Sequence, residues 1–210
     1  MTTFLKPRSV ETNRDKLLTA AELAIIEKGF AATSIEELIT EVGITKSGFF
    51  YHFRDKSEMV KALLERHLAA EAVWFEGLFA RARTLDDDPL HAFLIFLRLL
   101  QEDMERLTDV HPGCIVTACV FQERLFDKTI HELAANSLLR WRHQFHAKFE
   151  EIAALYPPRI DVDLEDLSDM LTVVTDGGII LSKTVRDKGV LARQVGLYRQ
   201  FVKSIFSPRP

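Results

Sequence analysis

Glycine and proline are scarce in this 210-residue chain, at 9 and 7, and there are only two cysteines, Cys114 and Cys119. The glycines and prolines cluster at boundaries and leave long segments between them with apolar residues at three- and four-residue spacing. Two cysteines cannot form a disulfide framework, and both are expected to be reduced thiols. Long apolar runs are missing as well. Ala92 to Leu97 is short, and Leu171 to Leu181 is broken by Thr, Asp and Gly. Neither approaches the roughly 20 apolar residues that a membrane helix needs. The first 13 residues are polar and carry no apolar signal core, so a cytoplasmic protein with no membrane partner is expected.

An excess of positive charge is absent too. Lys and Arg total 27 against 31 Asp and Glu, for a net charge of −4. This balance excludes a generic polyanion binder, so any nucleic acid would have to be held by a local surface. Sustained apolar/polar alternation is not found, which argues against sheet. Catalytic fingerprints are also lacking: there is no Gly-x-Ser-x-Gly elbow, no Gly-x-Gly-x-x-Gly turn and no phosphate-binding loop.

What is present is hydrophobicity, 47% of residues, spaced at three and four. The expected fold is all-α with about nine helices. The first covers about Asn13 to Lys28, with Gly29 as a left-handed stop. The second opens at Thr33-Ser34-Ile35-Glu36, read as a capping box with Thr33 as cap, and ends at Gly43. The third follows Thr45 as N-cap. Asp55-Lys56-Ser57-Glu58 opens a long fourth helix to about Arg83, and Asp88-Pro89 starts the fifth. An apolar segment runs from Cys114 to Phe126. Long helices follow from about Asp127 to Leu155, from Leu164 to about Arg186 after the Asp163 cap, and from Val190 to Phe206. Pro157-Pro158 separates the first two of these.

The three helices before residue 54 have the layout of a helix-turn-helix, with Gly43 where the turn needs a positive φ. The third begins with the small polar turn Thr45-Lys46-Ser47-Gly48, which lets backbone approach a ligand surface closely. Its amide end suits phosphate oxygens. Residues 1–56 are neutral, but over 44–56 Lys46, Arg54 and Lys56 face only Asp55. The basic footprint is therefore local.

Gly29-Phe30-Ala31-Ala32-Thr33-Ser34-Ile35-Glu36-Glu37-Leu38, then Val42-Gly43-Ile44-Thr45-Lys46, then Phe53-Arg54-Asp55-Lys56 resembles the DNA-binding domain of tetracycline-repressor (TetR) family regulators. The resemblance covers about residues 13–60. It implies a DNA-binding domain at 1–57 and a ligand-binding and dimerisation domain at 58–210. It further implies a homodimer that binds a near-palindromic double-stranded DNA operator and is released by a small-molecule effector, more in the manner of a repressor than an activator. By position, Thr33 and Lys56 would meet phosphate, while Thr45, Lys46, Ser47, Gly48, Tyr51 and His52 would form the reading and anchoring surface. The chain departs from the common family pattern in two places. Lys46-Ser47-Gly48 inverts the usual Lys-Gly-small order, and Phe50 stands where Tyr is usual, with the hydroxyl moved to Tyr51. Tyr51 or His52 is expected to take over that anchoring role.

The eighth helix shows two apolar stripes. One is Leu164, Leu167, Leu171, Val174, Gly178, Leu181 and Val185; the other is Met170, Val173, Gly177, Ile180 and Thr184. With Val195, Tyr198 and Val202 of the last helix, the resemblance implies a four-helix dimer interface. Leu167, Leu171, Val174, Gly178 and Leu181 are the expected seam residues of the eighth helix. Candidate effector contacts are Phe96, Met104, Cys114, Thr117, Cys119, Phe121, Trp141, Phe145 and Asp176, with Gln122 and Thr175 as further polar residues interrupting apolar stretches. For each of these, plain packing is the competing role. Neither His111 with the two cysteines nor His143 with His146 has the paired spacing of a zinc site, so no metal or cofactor is expected. A helical adaptor that binds protein only, or an enzyme without a recognisable motif, are the alternative readings.

Overall fold

The computed structural model describes residues 12–206. Among these, nine α-helices and one 3-10 turn account for the regular structure, and there is no strand. The helices are α1 (Asn13–Lys28), α2 (Ile35–Val42), α3 (Lys46–His52), α4 (Lys56–Leu85), α5 (Pro89–Glu105), α6 (Ile115–Val120), α7 (Lys128–Leu155), α8 (Leu164–Val185) and α9 (Gly189–Phe206), with the 3-10 turn at Glu123–Leu125. The expected all-α class and helix order hold. No described helix is long and apolar enough to cross a membrane.

Short-range chemistry sets most helix ends. Thr12 and Asp15 form a reciprocal capping box at α1, with Asp15 N–H on the Thr12 hydroxyl and Thr12 N–H on the Asp15 carboxylate. Asp88 caps α5 by accepting from His91 N–H at 2.9 Å, with Pro89 in the first turn. Asp163 accepts from two amides at the start of α8. Each such cap contributes about 1 kcal/mol.

Three ends differ from expectation. Ser34, not Thr33, caps α2: its hydroxyl accepts from Glu37 N–H at 3.1 Å. Thr33 is buried and donates its own hydroxyl to Gly29 O at 2.9 Å. At α4, Asp55 accepts from Glu58 N–H, but the Glu58 carboxylate reaches back to Arg54 N–H, one residue before the cap. Gly29 has the expected positive φ of +88°, yet its ψ of 161° is extended, so the chain leaves α1 straight into the next turn.

The chain divides into two compact units, Met1–Ala72 with Pro112–Ser137 and Val73–His111 with Leu138–Pro210. The first is built on Leu17, Leu18, Ile25, Leu38, Phe49, Phe53, Met59, Val60, Leu63 and Leu64, joined by Ile115, Val116, Cys119 and Ile130. Burial pushes the Cys119 thiol up to about 12, which keeps it protonated and unreactive. The second unit centres on a ring cluster. Phe79 and Phe96 stack at 3.9 Å, Phe75 meets Trp141 edge-on at 4.6 Å, and Phe93 meets Phe149 at 4.9 Å. α9 packs on α5 and α8, and the buried Tyr198 hydroxyl donates to Leu167 O at 2.7 Å.

Candidate nucleic-acid interface

The helix-turn-helix lies in the first unit. α2 ends at Gly43, whose φ of +74° and ψ of +37° are left-handed. A Cβ there would meet nothing within 4 Å, so backbone conformation and not space is what calls for glycine. Another residue would cost roughly 1–2 kcal/mol in that region. The amides of Gly43 and Ile44 both close on Ile39 O, which fixes the angle at which α3 departs.

α3 is short and presents two contrasting faces. Phe49 and Phe53 are buried and anchor it, and Arg14 of α1 sits over the Phe53 ring at 5.2 Å. On the other side Thr45, Lys46, Ser47, Phe50 and Tyr51 are exposed, Tyr51 at 85%. Gly48 and His52 are half-buried, and the His52 ring lies 5.0 Å from that of Tyr51. Thr45 caps the helix by accepting from Gly48 N–H at 3.2 Å, and its hydroxyl lies 2.9 Å from that of Ser47. The six expected reading residues on α3 and its cap therefore share one short element.

The local electrostatics are paired. Lys46 Nζ bonds the Glu36 carboxylate at 2.8 Å, and this contact holds Glu36 below the usual carboxylate range. Lys28 of α1 pairs with Glu37, the next residue of α2. Two of the acids on α2 are thus neutralised by neighbouring lysines, and Lys46 carries a partner that duplex DNA would have to replace. Both residues of the Lys46–Glu36 pair are well exposed, so the tether is weak.

Thr33 and Lys56 occupy a different environment from α3. Lys56 Nζ donates to Phe30 O and to Thr33 O, each at 2.6 Å, and stands 4.0 Å above the Phe30 ring. Burial lowers its pKa from the ordinary lysine value. Two of its three N–H bonds are taken by the backbone turn between α1 and α2.

The expected effector residues fall into two sets. Phe96, Met104, Trp141, Phe145 and Asp176 belong to the second unit, where Phe96 and Phe145 are fully buried among the stacked rings. Cys114, Thr117, Cys119 and Phe121 belong to the first, with Cys119 buried and Phe121 turned outward. A cleft of about 220 Å³ in the second unit is lined by other residues, among them Phe79, Arg83, Pro89, Phe93, Lys148 and Glu151. No local sequence pattern marks these residues, because the cleft forms only where α4, α5 and α7 come together in the fold. No group of His, Cys, Asp and Glu suited to a metal ion occurs among the described residues.

At the expected dimer seam, Leu167, Leu171, Gly178, Val195, Tyr198 and Val202 are buried inside the second unit, Val174 is half-buried and Leu181 is exposed. The apolar residues of α8 that face outward are Val173, Ile180, Leu181 and Val185, with Leu197 and Phe201 on α9.

A pair of short helices joined by a left-handed glycine, the second with one face buried and the other left outward, has the layout of a helix-turn-helix DNA-binding domain. Residues 17–63 match the family model described as bacterial regulatory proteins, tetR family. The chain is 27% identical over 120 residues to an uncharacterised HTH-type regulator of Lactococcus lactis, covering 57% of this chain and 59% of that protein. It is 24% identical over 169 residues to the transcriptional regulator AcuR of Cereibacter sphaeroides, covering 80% and 74%. The transcriptional repressor NemR of Escherichia coli is 35% identical over 57 residues, 27% and 29% of the two chains. Its reduced-form crystal structure superposes with a TM-score of 0.70 at 17% identity, covering 94% of this chain and 99% of that one. Residues 17–63 thus match the DNA-binding domain of the tetR family, and over more of its length the chain is similar to transcriptional regulators.

Proposed function

We propose that this regulator works as a homodimeric repressor that reads a near-palindromic operator with α3 and is released by a small-molecule effector. The observation that carries the reading is the split character of α3. Buried Phe49 and Phe53 fix the helix, while Thr45, Lys46, Ser47 and Tyr51 stay exposed, as a recognition helix requires. Gly48 and His52 complete the reading surface. Lys56 and Thr33 act mainly by holding the turn that launches α2, with the remaining N–H of Lys56 directed to phosphate. Residues 1–57 then form the DNA-reading part, and residues 58–210 supply dimerisation and effector response.

The apolar stripe Val173, Ile180, Leu181 and Val185, continued by Leu197 and Phe201, is the surface we assign to a second copy of the chain. It lies on the two helices that the resemblance implies for dimerisation. The effector is assigned to the second unit, where the cleft beside Phe79 and Phe93 is the space next to the expected aromatic residues. Truncating Trp141, whose ring packs against Phe75, is expected to alter effector response while sparing operator affinity.

The test is footprinting on the DNA upstream of the protein's own gene, with a salt titration. Lys46→Ala and Tyr51→Ala should each weaken the protected site about tenfold or more, with a smaller effect on unrelated DNA. Equal affinity of both variants and the wild type for that DNA would remove α3 from the reading role.

A further inference from the structure

We propose that Gln122 is a positioning residue for DNA reading: it clamps the turn between α1 and α2 and so sets the pose of the helix-turn-helix. The proposal rests on the α3 reading above but concerns a residue well outside the 17–63 segment that matches the family model.

The turn Gly29 to Thr33 is irregular backbone, and its polar groups need partners. Gly29 N–H closes on Ile25 O, and Thr33 N–H on Phe30 O. Gly29 O accepts from the Thr33 hydroxyl. Lys56 takes the carbonyls of Phe30 and Thr33. Phe30 N–H points the other way and donates to Gln122 Oε1 at 3.0 Å, across 92 positions of sequence. The Gln122 amide in turn donates to Ala118 O in α6 at 3.4 Å. Phe126 adds a ring contact to Phe30 at 4.6 Å. Phe30 is thus gripped on one side by the first residue of α4 and on the other by the segment after α6.

Gly29 makes this grip possible. A Cβ there would lie 2.9 Å from Gln122 Nε2, so any larger residue would push the glutamine off the Phe30 amide. Its φ of +88° further disfavours a side chain. α2 begins four residues after Phe30, and α3 is fixed to α2 through Gly43. A change in the turn is therefore passed to α3 with no intervening flexible stretch. Gln122 touches none of the reading residues, so it acts through the pose of α2 and α3 and not by contact with DNA.

The experiment uses full-length protein, wild type and the variants Gln122→Ala and Gln122→Glu. Amide exchange of Phe30 is followed by NMR, and binding to the DNA upstream of the gene is measured across a salt series. Glutamate keeps the acceptor for Phe30 N–H, while alanine removes it. For Gln122→Ala the expected result is Phe30 exchange at least tenfold faster, with amides of α8 and α9 unchanged. Affinity should fall about fivefold or more, at an unchanged salt slope because no phosphate contact is lost. Gln122→Glu keeps the Phe30 acceptor but loses the donor to Ala118 O, so its Phe30 exchange should fall between wild type and Gln122→Ala. Unchanged Phe30 exchange in the alanine variant would overturn the clamp. Faster exchange with undiminished affinity would overturn its role in reading. Failure of the wild type to bind this DNA would instead overturn the reading assigned to α3, and the exchange data would still judge the clamp.

Discussion

At the scale of single residues, the first unit depends on a half-buried charge cluster between α1 and α4. Arg66 donates to Asp15 O, to the Thr19 hydroxyl and to the Glu22 carboxylate, each at 3.1 Å. His67 Nδ1 lies 3.4 Å from Glu22, and its Nε2 lies 3.9 Å from Glu71. Burial pushes the Glu22 pKa up, but His67 and Arg66 outweigh it and leave the carboxyl below its ordinary 4.5. A carboxylate with a depressed folded pKa stabilises the fold above its unfolded value, and that contribution is lost as pH falls through the folded value. Asp15, held down by the Thr12 hydroxyl, and Asp55, held down by the Glu58 amide, act in the same direction. The first unit should therefore lose stability progressively below about pH 4.5. Glu22→Gln should lower stability at neutral pH and flatten the acid limb, read from amide exchange of the buried Leu18 against pH. An acid limb identical in the variant and the wild type would remove Glu22 from the account.

At the scale of elements, the termini show what local sequence could and could not specify. Asp88-Pro89, Asp163 and Gly43 were legible because a cap acts within three or four residues of itself. Thr33 and Ser34 are adjacent and equally able to cap, and the choice was made by tertiary structure, which turned Thr33 inward to Gly29 O. The Gln122 clamp was illegible for the same reason, since its partner amide lies on a different helix terminus. The aromatic residues of α5 and α7 were legible as core but not as packed solid, because ring type does not specify whether space remains beside it. The end of α8 adds a case that composition hides. Arg186 caps it with φ +56° and ψ +38°, a left-handed pose for a residue with a Cβ. Such a pose costs about 1–2 kcal/mol, part of which glycine would return as lost backbone freedom. Arg186→Gly should thus raise the stability of the second unit by up to about 1 kcal/mol, seen as a higher midpoint in urea unfolding followed by tryptophan fluorescence, both tryptophans lying in that unit. An unchanged or lower midpoint would show that the Arg186 side chain contributes more than its backbone pose costs.

At the scale of the whole molecule, the central question is which face of α8 meets a second copy. The two apolar stripes of this helix are almost equivalent in sequence, and packing within the chain breaks the tie. Gly178 lies against α9: a Cβ there would come within 2.8 Å of Leu191 Cδ1 and 3.3 Å of its Cα. Gly177, one residue earlier, has nothing within 4 Å and stands among the exposed Val173, Ile180 and Leu181. The two glycines therefore distinguish packing within the chain, at Gly178, from the surface proposed above for a second copy, at Gly177. Arginine at Gly178 would push against the backbone of α9 and should destabilise the second unit, with loss of the dimer as a consequence of misfolding. Gly177→Arg leaves the intrachain core untouched but sets an unpaired charge into the proposed seam, where burial is costly. The expected outcome for Gly177→Arg is a protein with wild-type thermal unfolding that sediments as a monomer. Its operator affinity should fall steeply, because each chain would then hold only one half-site of a pair spaced by about 34–36 Å. A dimer undisturbed by Gly177→Arg in analytical ultracentrifugation would place the interface on another surface. A monomer that binds the operator as tightly as wild type would separate assembly from DNA reading altogether.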